Sequence, residues 1–290
     1  MERKHINLSP FQCRELEEII TPLVSQYQTE YILCFGCLND TKSAASCFIE
    51  EIKQSNTHYF LLMVTTEPTR IEHEVQDYVN NHFEQAAITI IAHGLETVTN
   101  AVSQGNRFFN VVCREGMQLY TASGLRLNLG YPNLNPATTL ATAEKHFYHR
   151  YQMALGFMEA PGDCFEKAYY DNTVFMLHQA VEQACITMIG VFMAYRSDKH
   201  NLTRLLNLCL CFSGEPAAIF PRKTGEDQRL FQLLLKSYSE ARYRDEYNVS
   251  SQDADILCTQ VRALITLTEE LCIDQINDLR TAVSHIPKQN

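Results

Sequence analysis

Between Phe165 and Leu202 the chain reads FEKAYYDNTVFMLHQAVEQACITMIGVFMAYRSDKHNL, and no other stretch restricts the fold as severely. Leu177, Val181, Ala184, Met188, Val191 and Tyr195 recur every three or four residues, so they stack along one side of a helix. Phe175, Cys185, Ile189 and Phe192 widen that side into an arc that two partner helices are needed to cover. The stretch is expected to form one long helix followed by a turn, set inside a helical bundle.

The rest of the second half fits a bundle. Segments 137–160, 201–212, 227–241 and 252–276 carry helical spacing without strand signals, and Ser250 with Asp253 resembles a capping box. The tail from Arg280 to Asn290 is expected to be loosely ordered. The first half is different. Ser9-Pro10 starts a helix reaching Tyr27, and strand candidates follow at 31–36, ending at Gly36, then at 57–66, 87–92 and 117–121. Helical segments at 70–83 and 95–104 alternate with them. The expected class is therefore α+β, a small mixed sheet with helices followed by an all-α bundle. The YPNLNP segment, 131–136, cannot continue a helix or central strand, which places domains at 1–130 and 137–279.

Composition narrows the functions. With 24 basic and 34 acidic side chains the net charge is -10, which disfavours general binding to a nucleic-acid backbone. Eleven cysteines, an odd number scattered through apolar segments, read as reduced core residues. Met1 to Leu8 lacks the apolar core of a signal peptide and the apolar runs read as shorter than the roughly 18 residues of a membrane span, so the expectation is a cytoplasmic protein without membrane contact.

Several motifs carry chemistry. His178 and Glu182, four apart on one helix face, read as a surface pair between bundle helices or as ligand contacts. His200 reads as a residue that caps or fixes a turn. Arg242, Arg244, Asp245, Glu246 and Tyr247 crowd charges and aromatic rings into a segment able to bind a phosphate or lock two helices. Cys34-x-x-Cys37 lacks the second pair that zinc requires and the helix start of a redox motif, and His58, His73 and His93 show no partners for a metal.

The first half resembles the minimal nucleotidyltransferase family, through the Phe35-Gly36 strand end, the strands at 58–65 and 87–93, and GNRFFNVVCREGMQLY from Gly105 to Tyr120. The second resembles the HEPN domain, through LHQAVEQA at 177–184, HNL at 200–202 and ARYRDEY at 241–247. The transferase resemblance implies Gly-Ser at the turn, a D-x-D pair on the next strand and a third acid beyond, which hold two Mg2+ ions against nucleotide phosphates. Here those positions read Gly36-Cys37, His58-x-Phe60 and Thr89. The resemblance thus implies a pseudo-transferase. Transfer through displaced acids, Asp40, Glu50 or Glu51, is the alternative. The R-x4-6-H pattern of HEPN ribonucleases is missing at ARYRDEY, and Arg280 with His285 matches it only by count, so RNA cleavage is disfavoured. Together the resemblances imply a non-catalytic, regulatory, nucleotide-binding or protein-binding chain. Its ligand would be a nucleotide, with or without Mg2+, its bundle would form a homodimer, and its ligand residues would be Arg242, Arg244, Tyr247, His178, Glu182 and His200.

Overall fold

The computed structural model describes residues 6, 8–46, 49–66, 71–83, 85–197, 200–244 and 246–285; for 40–46 and 49–56 it describes the backbone only. The chain divides into two compact units, Met1–Asn133 and Leu134–Asn290.

The first unit opens with α1 (Pro10–Gln26), where Ser9 and Gln12 form a reciprocal capping box. Strands β1 (Thr29–Ser46) and β2 (Ile49–Thr65) form a long antiparallel hairpin. After α2 (Glu72–His82), β3 (Ala87–Gly94) lies parallel to β2. Helices α3 (Leu95–Ser103) and α4 (Arg107–Glu115) precede β4 (Met117–Thr121), which pairs with β1 to give the order β3-β2-β1-β4. Residues alternate between the two faces. Ile32, Cys34, Tyr59, Leu61, Met63, Ile88 and Ile90 pack with α1 and α2. Leu33, Phe60, Leu62, Val64 and Ile91 face the other way, where α3 and α4 lie and where Val98, Val102, Phe108 and Val112 are buried.

Two expectations need correction here. The first strand does not end at Gly36: it runs on to Ser46, with a register shift between Cys34 and Gly36. A Cβ at Gly36 would sit 3.0 Å from the Phe60 ring, so this glycine admits a neighbouring side chain rather than a turn. Helix α4 occupies part of the stretch read only as a motif; the Asn106 side chain accepts from Phe109 N and starts it.

The second unit contains α5 (Pro136–Glu159), α6 (Pro161–Glu166), α7 (Tyr170–Met193), α8 (Leu202–Cys209), α9 (Glu215–Ala218), α10 (Gly225–Tyr243) and α11 (Ser251–Ser284). The stretch from Phe165 is two helices, because the chain turns through Ala168 at φ 59° before α7 begins. From Thr173 to Val191, α7 is buried except at Phe175, Met176 and Gln179, wrapped by α5, α10 and α11. It is long and apolar enough to cross a membrane by length and composition, contrary to the expected absence of such a run, yet 78% of its most apolar window lies inside the fold. The tail also differs from expectation: α11 continues to Ser284, and Arg280 clasps Glu144 of α5 through Nε at 3.0 Å and Nη2 at 2.7 Å. Residues 286–290 lie outside the described chain. Ser250 caps α11, but the Asp253 carboxylate bonds Arg229 instead of closing a capping box.

The α5–α7 contact rests on one small residue. His146 donates from Nε2 to the Ile186 carbonyl at 3.0 Å, and a Cβ at Gly190 would fall 2.0 Å from that nitrogen. Gly190→Ala should lower unfolding stability by about 1–3 kcal/mol, and adding His146→Ala should recover part of that loss. A double-mutant cycle from urea unfolding reads the coupling.

Candidate functional site

Each unit holds a polar constellation at positions singled out by the sequence. In the first, the ladder sets Gly36 opposite Phe60, and Phe60 beside Thr89, so the positions named by the transferase resemblance share one rung. No acid stands there. His58 Nε2 lies 2.8 Å from Thr89 Oγ1, and its ring stacks on Phe60 with centroids 4.4 Å apart. His58, Phe60 and Thr89 are all buried, and Phe35 and Phe108 extend the aromatic layer beside them. Burial lowers the His58 pKa to about 4, so the imidazole is neutral at physiological pH. The rung offers rings, a hydroxyl and a neutral imidazole where two-metal chemistry needs carboxylates.

The displaced acids do not fill the gap together. In the hairpin, Ser46 pairs with Ile49 and Ala44 with Ile52, so Glu50 and Glu51 sit at its distal end. Eight residues separate Glu50 from His58, roughly 26 Å of extended strand. Asp40, opposite Asn56, is the nearer acid by backbone position.

The other readings of this unit resolve separately. Cys34 and Cys37 lie within β1 rather than at a turn, and Cys37 Sγ contacts the Gln12 amide at 3.5 Å. Burial raises both thiols, Cys34 to about 11, which suits core residues and not nucleophiles. His58 and His93 pair at rungs six residues apart along β3, about 20 Å. Among the described residues no group of three His, Cys, Asp or Glu side chains is placed to hold a metal ion.

The second constellation lies where α7, α10 and the residue before α8 meet. His178 is buried, and its Nδ1–H donates to the Leu234 carbonyl at 2.9 Å, which leaves Nε2 as an acceptor. Burial lowers its pKa, an effect partly offset by that carbonyl and by Glu182. Glu182 is buried too, with Oε1 accepting from His200 Nδ1 at 3.0 Å and from Gln183 Nε2 at 3.3 Å. The pair is thus a core feature, not the surface pair expected from spacing. Asn201, not His200, caps α8. Tyr238 joins the group: its ring centroid lies 5.3 Å from that of His178 and 5.8 Å from that of His200, and the Arg242 guanidinium stands 4.6 Å above it.

Arg242, His178, Glu182 and His200 therefore converge. Arg244 and Tyr247 do not join them. Arg244 pairs with Glu240 one turn back at 3.1 Å, and Tyr247 is buried, donating to the Leu233 carbonyl at 3.0 Å. Asp245 lies outside the described residues. Sequence reasoning missed Tyr238, whose only trace was its place four residues before Arg242, one helical turn away.

Comparison with known proteins now bears on the second unit. Residues 148–271 match the family profile described as HEPN domain. That segment is a HEPN domain. The chain as a whole is similar to a nucleotidyltransferase-like protein from Exiguobacterium sibiricum, solved by crystallography, at 10% identity over 91% of this chain and 78% of that one, with a TM-score of 0.29. No curated protein matches the sequence.

The His58 site predicts a pH dependence. The folded pKa near 4 lies below the ordinary histidine value of about 6.5, so its contribution is complete above pH 6.5 and is lost as pH falls toward 4. That loss amounts to about 3 kcal/mol. Urea unfolding across this range should show a shallower fall for His58→Asn than for the native chain, and the His58 imidazole should titrate near 4 by NMR.

Proposed function

We propose that the chain is a non-catalytic regulatory protein, with a transferase-like unit that has lost metal-dependent transfer and a HEPN unit that responds to a nucleotide. One observation carries this reading: the rung of Gly36, Phe60 and Thr89 is filled by a buried His58–Thr89 hydrogen bond and stacked rings, with no carboxylate to hold Mg2+. The HEPN unit keeps the more accessible polar group, since His200 and Arg242 are both exposed. Ligand affinity is accordingly assigned to the bundle.

Calorimetric titration with ATP, GTP and CTP tests this. Binding should be independent of Mg2+ and should weaken about tenfold or more in Arg242→Ala. Tight Mg2+-dependent binding abolished by Asp40→Asn or Glu50→Gln would show instead that displaced acids support transfer. The bundle is also proposed to pair with a second copy of the chain, by analogy with other HEPN bundles and with the exposed Tyr148, Tyr169 and Ile273 as apolar surface. Light scattering should give twice the 33.2 kDa chain mass.

A further inference from the structure

In the HEPN unit, two buried acceptors lie on one side of α7 without a donor. His178 and Glu182 are each 2% exposed, and neither His178 Nε2 nor Glu182 Oε2 has a hydrogen-bond partner among the described residues. Gln179, three residues before Glu182, holds a buried amide nitrogen with no acceptor. Two acceptors and one donor, unmet by other protein groups in the interior, are costly to keep unless a ligand meets them.

We propose that these three heads read the amidine edge of a nucleobase, an exocyclic amine beside an unprotonated ring nitrogen. This rests on the nucleotide reading above and adds what that reading leaves open, the class of base. Adenine and cytosine present such an edge; uracil does not. The amine's two N–H groups would go to His178 Nε2 and Glu182 Oε2, and its ring nitrogen would accept from Gln179. Uracil would set its carbonyl oxygen against both acceptors. His178 suits the role because its Nδ1–H is committed to Leu234 and burial keeps the ring neutral.

The surroundings supply the remaining contacts. His200 lies over the heads, with its side chain 58% exposed against 3% for Glu182. His200 keeps Glu182 Oε1, and the ligand amine takes the other oxygen, Oε2. Tyr238, half-buried and already stacked with both histidines, offers a face to the base. Arg242 spends Nε on the Tyr238 carbonyl at 2.7 Å, and its two terminal nitrogens have no acceptor among the described residues, so the fork is open to a phosphate.

Calorimetry on the full chain with ATP, CTP and UTP decides the matter. ATP and CTP should bind at least about tenfold more tightly than UTP, and Glu182→Gln, checked for fold by circular dichroism, should shrink that preference to about threefold or less. Should that variant not fold, Gln179→Leu, at a half-buried position, is the second probe. Removing the donor to the ring nitrogen should weaken ATP and CTP binding about tenfold. UTP binding as tightly as ATP, a preference that survives Glu182→Gln, or undiminished ATP binding in Gln179→Leu would each overturn the base-reading proposal while leaving nucleotide binding intact. No binding of any nucleotide would overturn both.

Discussion

Burial of α7 is the constraint on which the second unit depends. A helix apolar on nearly every side must be enclosed, and α5, α10 and α11 enclose it. Its few polar residues are carried into the interior with it, where each must find a partner at short range. His178 takes the Leu234 carbonyl, Thr187 the Gln183 carbonyl at 2.6 Å, and Gln183 accepts from Arg150 at 3.0 Å. The polar group at Glu182 is thus a by-product of the same enclosure that makes the core, and its chemistry is set by which neighbours the bundle brings within reach.

The first unit is built around a different kind of contact, one rung of its sheet. Where two or three carboxylates would repel each other unless metal ions neutralised them, a neutral imidazole, a hydroxyl and a phenyl ring pack without any ion. The aromatic layer from His58 through Phe60 and Phe35 to Phe108 makes the space part of the core. The depressed His58 pKa follows from that burial.

Much of this was legible in the sequence because periodicity reports burial directly. The strands at 57–66 and 87–92, the enclosed helix around Leu177, and the caps at Ser9 and Ser250 all follow from local pattern and local hydrogen bonding. What escaped depended on distant partners. Gly36 looked like a strand end because glycine often ends strands, whereas its role is set by Phe60 across the hairpin. The continuation of α11 past Arg280 depends on Glu144, far away in sequence. The site was half visible: spacing alone could pair His178 with Glu182, but Tyr238, which links them to Arg242, comes from another helix and carries no motif. Its assembly is a property of packing.

The His146–Gly190 contact also governs how the bundle can move. An imidazole seated in a notch with room for no side chain acts as a key between α5 and α7. Sliding one helix past the other by a turn, about 5.4 Å, would drive that ring into a residue with a Cβ. The two helices are thereby keyed in a single axial position. Any motion at Glu182 falls instead to His200 and α10, which hold their places by hydrogen bonds and ring stacking that can be exchanged. The α5–α7 pair is thus the fixed frame against which those exchangeable contacts are made.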